Sequence, residues 1–328
     1  LALLALLALS TLAASLSQDL PSLLLARALT GLCGAPALAL GMAMVIDITA
    51  PAERGKAIAN VMIGFAAAVV GGVPLALELA RLGTWRTPFM LLALAMALLC
   101  IIMCWRLAPS QPAQHSAKPA LRKLLITPGV RWACVAQFAA QFSAFLLIPY
   151  FSAYFLANLG FPRQQLGMLY AAGGLVAFAS VQIIGRMADR YGFLPSASLA
   201  SIAFALGAMV FALPSLSVAS LAQSMPALFF ILFMAGNAGR NISMSTGISQ
   251  LATPQTRASM MALQSLVQDV AMTVAALSAG LIVHSAADGR LLGGQKLAGL
   301  ALGFAALAWL ALRAMQRRPE MVGGLEKA

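Results

Sequence analysis

Charged side chains are scarce in this chain. Only 9% of its 328 residues are Asp, Glu, Lys or Arg, and 61% are hydrophobic, whereas an ordinary soluble domain is about 25% charged. A soluble protein of this length could not bury so much apolar surface, so the sequence predicts an integral membrane protein. The net charge of +12 would favour a nucleic-acid partner in a soluble chain. Here the basic residues concentrate in alternate loops, and we expect no nucleic-acid partner.

Cysteine and histidine are also sparse. The chain has four cysteines, Cys33, Cys100, Cys104 and Cys134, and two histidines, His115 and His284. The cysteines all fall within apolar runs and have neither metal-ligand spacing nor a disulfide pattern. The sequence contains no H-E-x-x-H motif, no Ser/His/Asp arrangement and no phosphate-binding loop. We therefore predict no enzymatic activity, no metal site and no cofactor.

Long apolar runs dominate the sequence. A helix needs about 20 apolar residues to cross the hydrocarbon core of a bilayer. Continuous apolar runs favour helices over strands, since in lipid only helices and closed barrels satisfy their own backbone. The sequence predicts ten membrane-spanning helices, at residues 1–16, 22–47, 57–80, 87–106, 130–157, 165–186, 195–213, 225–249, 258–283 and 297–313.

The charges of the loops predict the orientation and the domains. Fourteen Lys and Arg residues fall in one set of loops and five in the other, which places the first set and the C-terminus in the cytoplasm. The longest hydrophilic stretch carries four prolines and three basic residues and is typical of a linker. We expect the following parts: an N-terminal helical bundle at 1–107, a cytoplasmic linker at 108–129, a C-terminal bundle at 130–316 and a cytoplasmic tail at 317–328.

An internal repeat supports two bundles. Pro51-Ala52-Glu53-Arg54 follows the second apolar segment, and Pro254-Gln255-Thr256-Arg257 follows the eighth, at an offset of 203 residues. Each motif opens the next helix on the predicted cytoplasmic side. Secondary transporters are commonly built from such repeated halves.

Several motifs carry a resemblance to a known family. They are Gly185–Gly192 (GRMADRYG), Leu25–Gly31, Gly71–Leu75, Gly83–Phe89, and Gly239-Arg240 followed by Pro254-x-x-Arg257 and Gln264-Ser265-x-x-Gln268. Together they resemble the major facilitator superfamily, in which the octapeptide is similar to the signature loop between the second and third helices of a half. The last series resembles the bacterial branch of drug:proton antiporters and arabinose-efflux-like permeases.

The resemblance implies a fold and a place in that fold. It implies an all-α membrane protein of twelve helices in two bundles. Subtracting the repeat offset of 203 from residues 185–192 places the N-terminal copy of the signature before residue 1. We therefore expect an N-terminally truncated chain, whose ten helices are helices three to twelve.

Ionisable side chains inside the spans are candidates for function, because they cost about 3 kcal/mol near the membrane centre. In the resemblance, Arg27 matches an arginine linked to proton transfer; the alternative is a side chain that snorkels to the outer interface. Arg240 and Asp269 lie about ten and twelve residues from the cytoplasmic ends of their helices, hence at similar depth. We expect them to pair, either as a coupling switch or as a static bridge.

Amide side chains form a second set of candidates. Gln137 and Gln141 share one helix face by their i, i+4 spacing, and Phe145 continues that face. Similar faces carry Asn237, Asn241, Gln264 and Gln268. The resemblance implies that the helix with Gln137 lines the central cavity, where amides and aromatic rings suit a neutral polar or amphipathic solute. The alternative is hydrogen bonding between helices.

Two glycine-containing motifs complete the candidates. In the signature loop, Gly185 and Gly192 would permit a tight turn. Asp189 would accept hydrogen bonds from helix N-termini, and Arg186 and Arg190 would hold cytoplasmic helix ends; the alternative is a plain positive-inside loop. The resemblance makes a second set, Gly71, Gly72 and Pro74, part of a helix-packing motif of antiporters.

The leading hypothesis is a secondary active transporter that exports a small organic solute, drug-like or sugar-like, in exchange for protons by alternating access. The alternatives are a membrane sensor or scaffold on a transporter fold, and a uniporter or symporter of the same superfamily. The expected partners are the solute, protons and the lipid bilayer. We expect a monomer in the bacterial cytoplasmic (inner) membrane.

Overall fold

The computed structural model describes residues 1–49, 61, 64, 67–106, 127–212, 224–251 and 257–317. The chain forms two compact units, Leu1–Ser116 and Ala117–Ala328, and each is described by itself. The boundary between them lies in the predicted linker, most of which falls outside the described residues.

The first unit is helical throughout its described part. Its helices are α1 (Ala2–Leu16), α2 (Leu20–Ile48), α3 (Val73–Leu82) and α4 (Thr87–Arg106), with a π-helical turn at Ala68–Gly72 directly before α3. The Asp19 carboxylate accepts a hydrogen bond of 3.1 Å from the Ser22 amide and so caps the start of α2. α1 packs against both α2 and α4. Arg86 Nη2 donates to the Ser17 carbonyl oxygen at 2.7 Å, which ties the start of α4 to the end of α1.

The second unit is a bundle of longer helices. They are α5 (Pro128–Phe145), α6 (Phe151–Ala157), α7 (Arg163–Tyr191), α8 (Phe193–Ala208), α9 (Ser224–Ser249), α10 (Arg257–Ile282) and α11 (Gly294–Gln316), with short 3-10 turns at Ile148–Tyr150 and Met209–Phe211. α5 packs against α10 and α11, while α8 packs against α7, α9 and α11. Between α10 and α11, the two-residue strands β1 (His284–Ser285) and β2 (Leu291–Leu292) pair antiparallel.

Aromatic rings fill one part of the core of the second unit. The Phe151 ring is buried, and its centroid lies 4.6 Å from that of Phe233, 4.9 Å from that of Phe211 and 5.2 Å from that of Phe230. A separate buried cluster consists mainly of small or flexible side chains, among them Ala133, Ala136, Ala140, Met244, Met260 and Met315. The small residues let helix backbones approach each other closely.

α8 and α9 approach each other closely, and two glycines face the opposite backbone. A Cβ atom at Gly207 would lie 2.3 Å from the Phe233 nitrogen, and one at Gly236 would lie 2.2 Å from the Phe204 nitrogen. Real Cβ atoms never come this near to a backbone atom without a shift of the chain. The contact between these helices therefore requires glycine at both positions.

The short hairpin after α10 is held by one side chain. The Asn158 amide donates to the Leu291 carbonyl oxygen at 2.9 Å, and its oxygen accepts a hydrogen bond of 2.9 Å from the Leu291 nitrogen. Asn158 thereby pairs with β2 as a further strand residue would. It attaches the connection between α10 and α11 to the end of α6.

The predicted all-α membrane fold is confirmed. Among the described helices, six are long and apolar enough to cross a membrane, at Thr87–Trp105, Pro128–Ala157, Arg163–Tyr191, Phe193–Phe211, Ser259–Ile282 and Gly294–Gln316. Ala2–Leu16 and Leu20–Gly34 are apolar but shorter. Helices cover nine of the ten predicted segments, and the remaining one, 57–80, lies partly outside the described residues.

Candidate functional site: a buried polar cluster

Gln137 of α5 is the centre of a hydrogen-bonded amide cluster. Its side chain is buried, with 3% of its surface exposed. Gln137 Nε2 donates to Gln268 Oε1 at 3.0 Å, and Gln137 Oε1 accepts from Gln264 Nε2 at 3.4 Å. Gln264 and Gln268 stand one turn apart on α10, so a single side chain of α5 holds two successive turns of α10.

The cluster also reaches α9. Gln141 Nε2, one turn beyond Gln137, donates to Asn241 Oδ1 at 3.3 Å. Gln264 Nε2 lies 3.3 Å from the Ser245 Oγ of α9 and donates to it. Polar side chains of α5, α9 and α10 therefore meet, because Gln137 and Gln141 of α5 and Gln264 and Gln268 of α10 each share one helix face at i, i+4 spacing. On α9 the side chains that take part are Asn241 and Ser245.

Arg240 of α9 is buried beside this cluster, with 3% of its surface exposed. Its Nη2 donates to the Ala140 carbonyl oxygen at 3.2 Å and to Ser143 Oγ at 3.1 Å, both on α5. Its guanidinium carbon lies 3.5 Å from the centroid of the Phe204 ring of α8. The Nε and Nη1 atoms have no hydrogen-bond partner among the described residues. A carbonyl, a hydroxyl and an aromatic face thus surround this cation where a carboxylate was expected.

The predicted pair between Arg240 and Asp269 is wrong. Asp269 is exposed on α10, and the described residues form two ion pairs, Glu78–Arg81 and Asp288–Arg290, neither of which involves it. The reason is rotation about the helix axis. Gln268 points toward α5, and the next residue is turned by about 100°, so Asp269 faces away from Arg240 although the two lie at similar depth.

Asn237 and Phe145 lie on the helices of the cluster but outside its hydrogen bonds, and Arg27 lies in the other unit. Asn237 is half-buried on α9, one turn before Asn241, and its side chain makes no hydrogen bond to the described residues. Phe145 is half-buried at the end of α5. Arg27 belongs to the first unit, where it is exposed and its guanidinium carbon lies 5.5 Å from the centroid of the Phe89 ring. The roles of these residues stay predictions.

The signature segment is helical rather than a loop for most of its length. α7 continues to Tyr191, so Gly185 lies inside the helix, and a Cβ atom there would meet Ile242 at an ordinary 3.6 Å. The prediction that Gly185 permits a turn is therefore wrong. Gly192 alone makes the turn into α8, with φ of +92°, a conformation that favours glycine.

The charged residues of the signature point outward. Arg186, Asp189 and Arg190 are exposed and form no ion pair with the described part of the chain. The Arg190 guanidinium carbon lies 5.4 Å from the centroid of the neighbouring Tyr191 ring. Their predicted contacts with other helix ends stay predictions.

The glycines before α3 lie in the π-helical turn. Gly71 and Gly72 are exposed, and a Cβ atom placed on Gly71 would meet no described atom outside its own helical backbone within 4 Å. Pro74 follows at the start of α3 and has no N–H to donate to the preceding turn, which explains the wider turn there. The packing role of this motif stays a prediction.

Ser143, Phe204, Gly207 and Gly236 were not among the predicted residues. Ser143 lies two residues after Gln141, off the i, i+4 spacing of the amides on α5, and is completely buried, so the spacing does not reveal it. Gly207 and Gly236 stand in apolar runs, and small residues in membrane helices do indicate close helix contacts. That signal was present and could have identified them. A cation–π contact has no sequence spacing, so Phe204 gave no signal.

Comparisons with known proteins identify the relatives of this chain. A sequence model described as Major Facilitator Superfamily matches residues 1–276 and also residues 133–326. The putative uncharacterized transporter YgaY of Escherichia coli strain K12 is 33% identical over 98 residues, which cover 30% of this chain and 24% of that protein. The protein of strain O157:H7 matches equally. The chain thus spans about a quarter of the length of these curated relatives.

Solved transporter structures share the fold. A bacterial homologue of the human lysosomal transporter Spinster, inward-facing and unoccupied, matches with a TM-score of 0.66 at 14% identity, over 97% of this chain and 83% of that one. An outward-facing bacterial homologue of the iron transporter ferroportin matches with a TM-score of 0.59 at 16% identity, over 96% of this chain and 82% of that one. Identities this low bear on the fold alone.

Proposed function

We propose, since the chain belongs to the Major Facilitator Superfamily, that this multi-pass membrane protein is a secondary active transporter of a small organic solute. The observation that carries the proposal is the buried polar cluster around Gln137 and Arg240. A carrier needs a polar site inside the bilayer, and such sites lie between helices near the midplane.

The chemistry of the cluster suits a neutral polar or amphipathic solute. Interhelical hydrogen bonds in membranes contribute on average only about 0.6 kcal/mol, so Gln137 can exchange its protein partners for those of a solute at small cost. The Asn237 side chain has its NH2 donor and its oxygen acceptor available to such a solute, and the half-buried Phe145 offers an apolar surface. Arg240 adds a positive charge that disfavours cations.

We propose that the chain exports its solute in exchange for protons, because its motifs resemble those of the drug:proton antiporter branch. Asp269 is the residue of the second unit that supports it, because it is an acidic side chain in a membrane-spanning helix and is free of the ion pair expected for it. Protonation of such a carboxyl changes its charge and hence its preference for apolar surroundings. Alternating access would expose Asp269 and the amide cluster to each side in turn.

Counterflow tests the proposal directly. The full chain is reconstituted in liposomes loaded with one unlabelled solute at a time from a panel of neutral and amphipathic compounds, and uptake of the labelled solute is measured. We expect transient accumulation that Asn237→Leu reduces at least tenfold. Gln165→Leu removes an exposed amide near the start of α7 and serves as the matched control. Folded protein that exchanges no solute of the panel would support a sensor or scaffold and contradict the proposal.

A further inference from the structure

A groove lies beside the start of α5 and the end of α11, and none of the cluster amides lines it. Its volume is about 380 Å³, and it is lined by Trp132, Leu310, Arg313, Ala314 and Arg317. α5 and α11 both belong to spans that are long and apolar enough to cross a membrane. The groove therefore lies at one end of the transmembrane bundle, where the bilayer meets water.

Among the described residues, the lining of the groove carries two positive charges and no carboxylate. Arg313 and Arg317 are exposed and stand one helical turn apart, so their side chains share one face of α11. The ion pairs of the described residues involve neither of them. Two guanidinium groups spaced in this way can each present a planar pair of N–H donors to one phosphodiester.

One of the two arginines is positioned by neighbouring side chains. Trp309 Nε1 donates to Ser198 Oγ of α8 at 2.8 Å, which fixes the indole ring between the helices. The Arg313 guanidinium carbon lies 5.5 Å from the centroid of that ring. This contact restrains the Arg313 side chain before any ligand arrives, which lowers the side-chain entropy that binding costs.

The groove changes from charged to apolar along α11. Leu310 stands one turn before Arg313 and is 53% exposed, and Trp132 is 37% exposed on the opposite wall. Tryptophan favours the interface between bilayer and water, because its ring is apolar and its N–H is polar. The start of α5 at Pro128, one turn before Trp132, adds the positive end of a helix dipole.

We propose that this arginine groove binds the phosphate headgroup of an anionic phospholipid, with an acyl chain lying along Leu310. A free phosphate ion would match the arginines but not the apolar side chains next to them. Arginines at a helix C-terminus also offset the helix dipole, and that role requires no lipid. The lipid proposal is independent of the transported solute.

Native mass spectrometry of the full chain in neutral detergent tests it, with phosphatidylglycerol or cardiolipin titrated against phosphatidylcholine. We expect saturable binding of the anionic lipids, weakened about 30-fold in R313Q/R317Q, since each basic residue near an anionic membrane surface contributes about 1 kcal/mol. R186Q/R190Q is the matched control, because these two exposed arginines lie at the end of α7 and outside the groove. The affinity of R186Q/R190Q for the anionic lipids should change less than about threefold at an ionic strength near 0.15 M, where distant charges are screened.

Two further arms separate the alternatives. R313K/R317K keeps both charges but loses the planar donor pairs, so its affinity should be intermediate; this variant also serves if the glutamine variant fails to fold. Inorganic phosphate at millimolar concentration should leave lipid binding unchanged. Equal losses in the two glutamine variants, equal binding of phosphatidylcholine, or displacement of the lipid by phosphate would each overturn the proposal.

Discussion

The guanidinium carbon of Arg240 lies 3.5 Å from the centroid of the Phe204 ring, and both side chains are buried. Cation–π contacts contribute about 2 kcal/mol when both groups are removed from water. Phe204 therefore offsets part of the cost of a cation that has no carboxylate partner among the described residues. The positive charge is held by α8 and α5 together.

Replacing Phe204 by leucine should destabilise the protein more than the same change elsewhere in the aromatic core. Phe211→Leu is the matched control, because the Phe211 ring is equally buried and has no cation over it. We expect Phe204→Leu to lower the free energy of unfolding by about 2 kcal/mol more than the control. Melting in detergent, followed by size-exclusion chromatography, measures the difference. Equal losses would show that the contact with Arg240 contributes nothing.

The glycines between α8 and α9 should be essential for folding. Gly207→Ala and Gly236→Ala would each place a methyl group within 2.3 Å of a backbone nitrogen, so the helices must separate. We expect a loss of at least about 3 kcal/mol, seen as absent or aggregated protein. Gly303→Ala on α11 is the control, since nothing lies within 4 Å of its added atom. Normal expression of Gly236→Ala would contradict the observed helix contact.

The two glycines of the signature segment should respond differently to alanine. Gly192 has φ of +92°, and a side chain there costs about 1–3 kcal/mol in strain. Gly185 is helical with room for a methyl group, so Gly185→Ala should leave the melting temperature unchanged or raise it. Thermal melts of both variants in the same detergent check this. Equal destabilisation by the two changes would contradict the helical Gly185 and support the turn that the sequence predicted there.

The hydrogen bond between Gln137 and Gln268 should appear as a coupling energy. A double-mutant cycle with Gln137→Leu and Gln268→Leu should give about 0.5–1.5 kcal/mol, the range for interhelical bonds in membranes. The control cycle pairs Gln137→Leu with Asn237→Leu, whose amides share no hydrogen bond, and its coupling should be near zero. Unfolding in mixed micelles provides the four stabilities. The same coupling in both cycles would speak against a specific bond.

Asp269→Asn should abolish the coupling of transport to a proton gradient without destabilising the fold. Asp269 is exposed and unpaired in the described structure. The free energy of unfolding of the Asp269→Asn protein should therefore differ from that of the unchanged protein by less than about 0.5 kcal/mol. We expect solute exchange by counterflow to persist while uptake or efflux driven by a pH gradient is lost. Asp288→Asn, in the loop between β1 and β2, is the control and should retain both. Full gradient-driven transport by Asp269→Asn would exclude a coupling role for this residue.

Much of the fold followed from the apolar runs, whereas the contacts inside it did not. The predicted starts of α2 and α5 lie two residues after the observed ones. The apolar runs begin later than the helices do, since Asp19 caps α2 and Pro128 opens α5. The resemblance to the superfamily is confirmed; the efflux branch stays a prediction. The depth of a residue along a helix can be counted, but its rotation relative to a neighbouring helix depends on packing. That is why Gln137 and Gln268 were placed on polar faces correctly while Asp269 was assigned the wrong partner.

The double hydrogen bond of Asn158 with Leu291 ties the hairpin that follows α10 to the end of α6. It anchors the connection just beyond Ile282, so a tilt of α10 has its pivot at that end. Gln264 lies 18 residues from the pivot, about 27 Å at 1.5 Å per residue. A rotation of about 10° would then displace Gln264 by about 5 Å and separate it from Gln137. A tilt of α10 about the Asn158 anchor would therefore separate Gln264 from Gln137 while the other end of α10 stays in place.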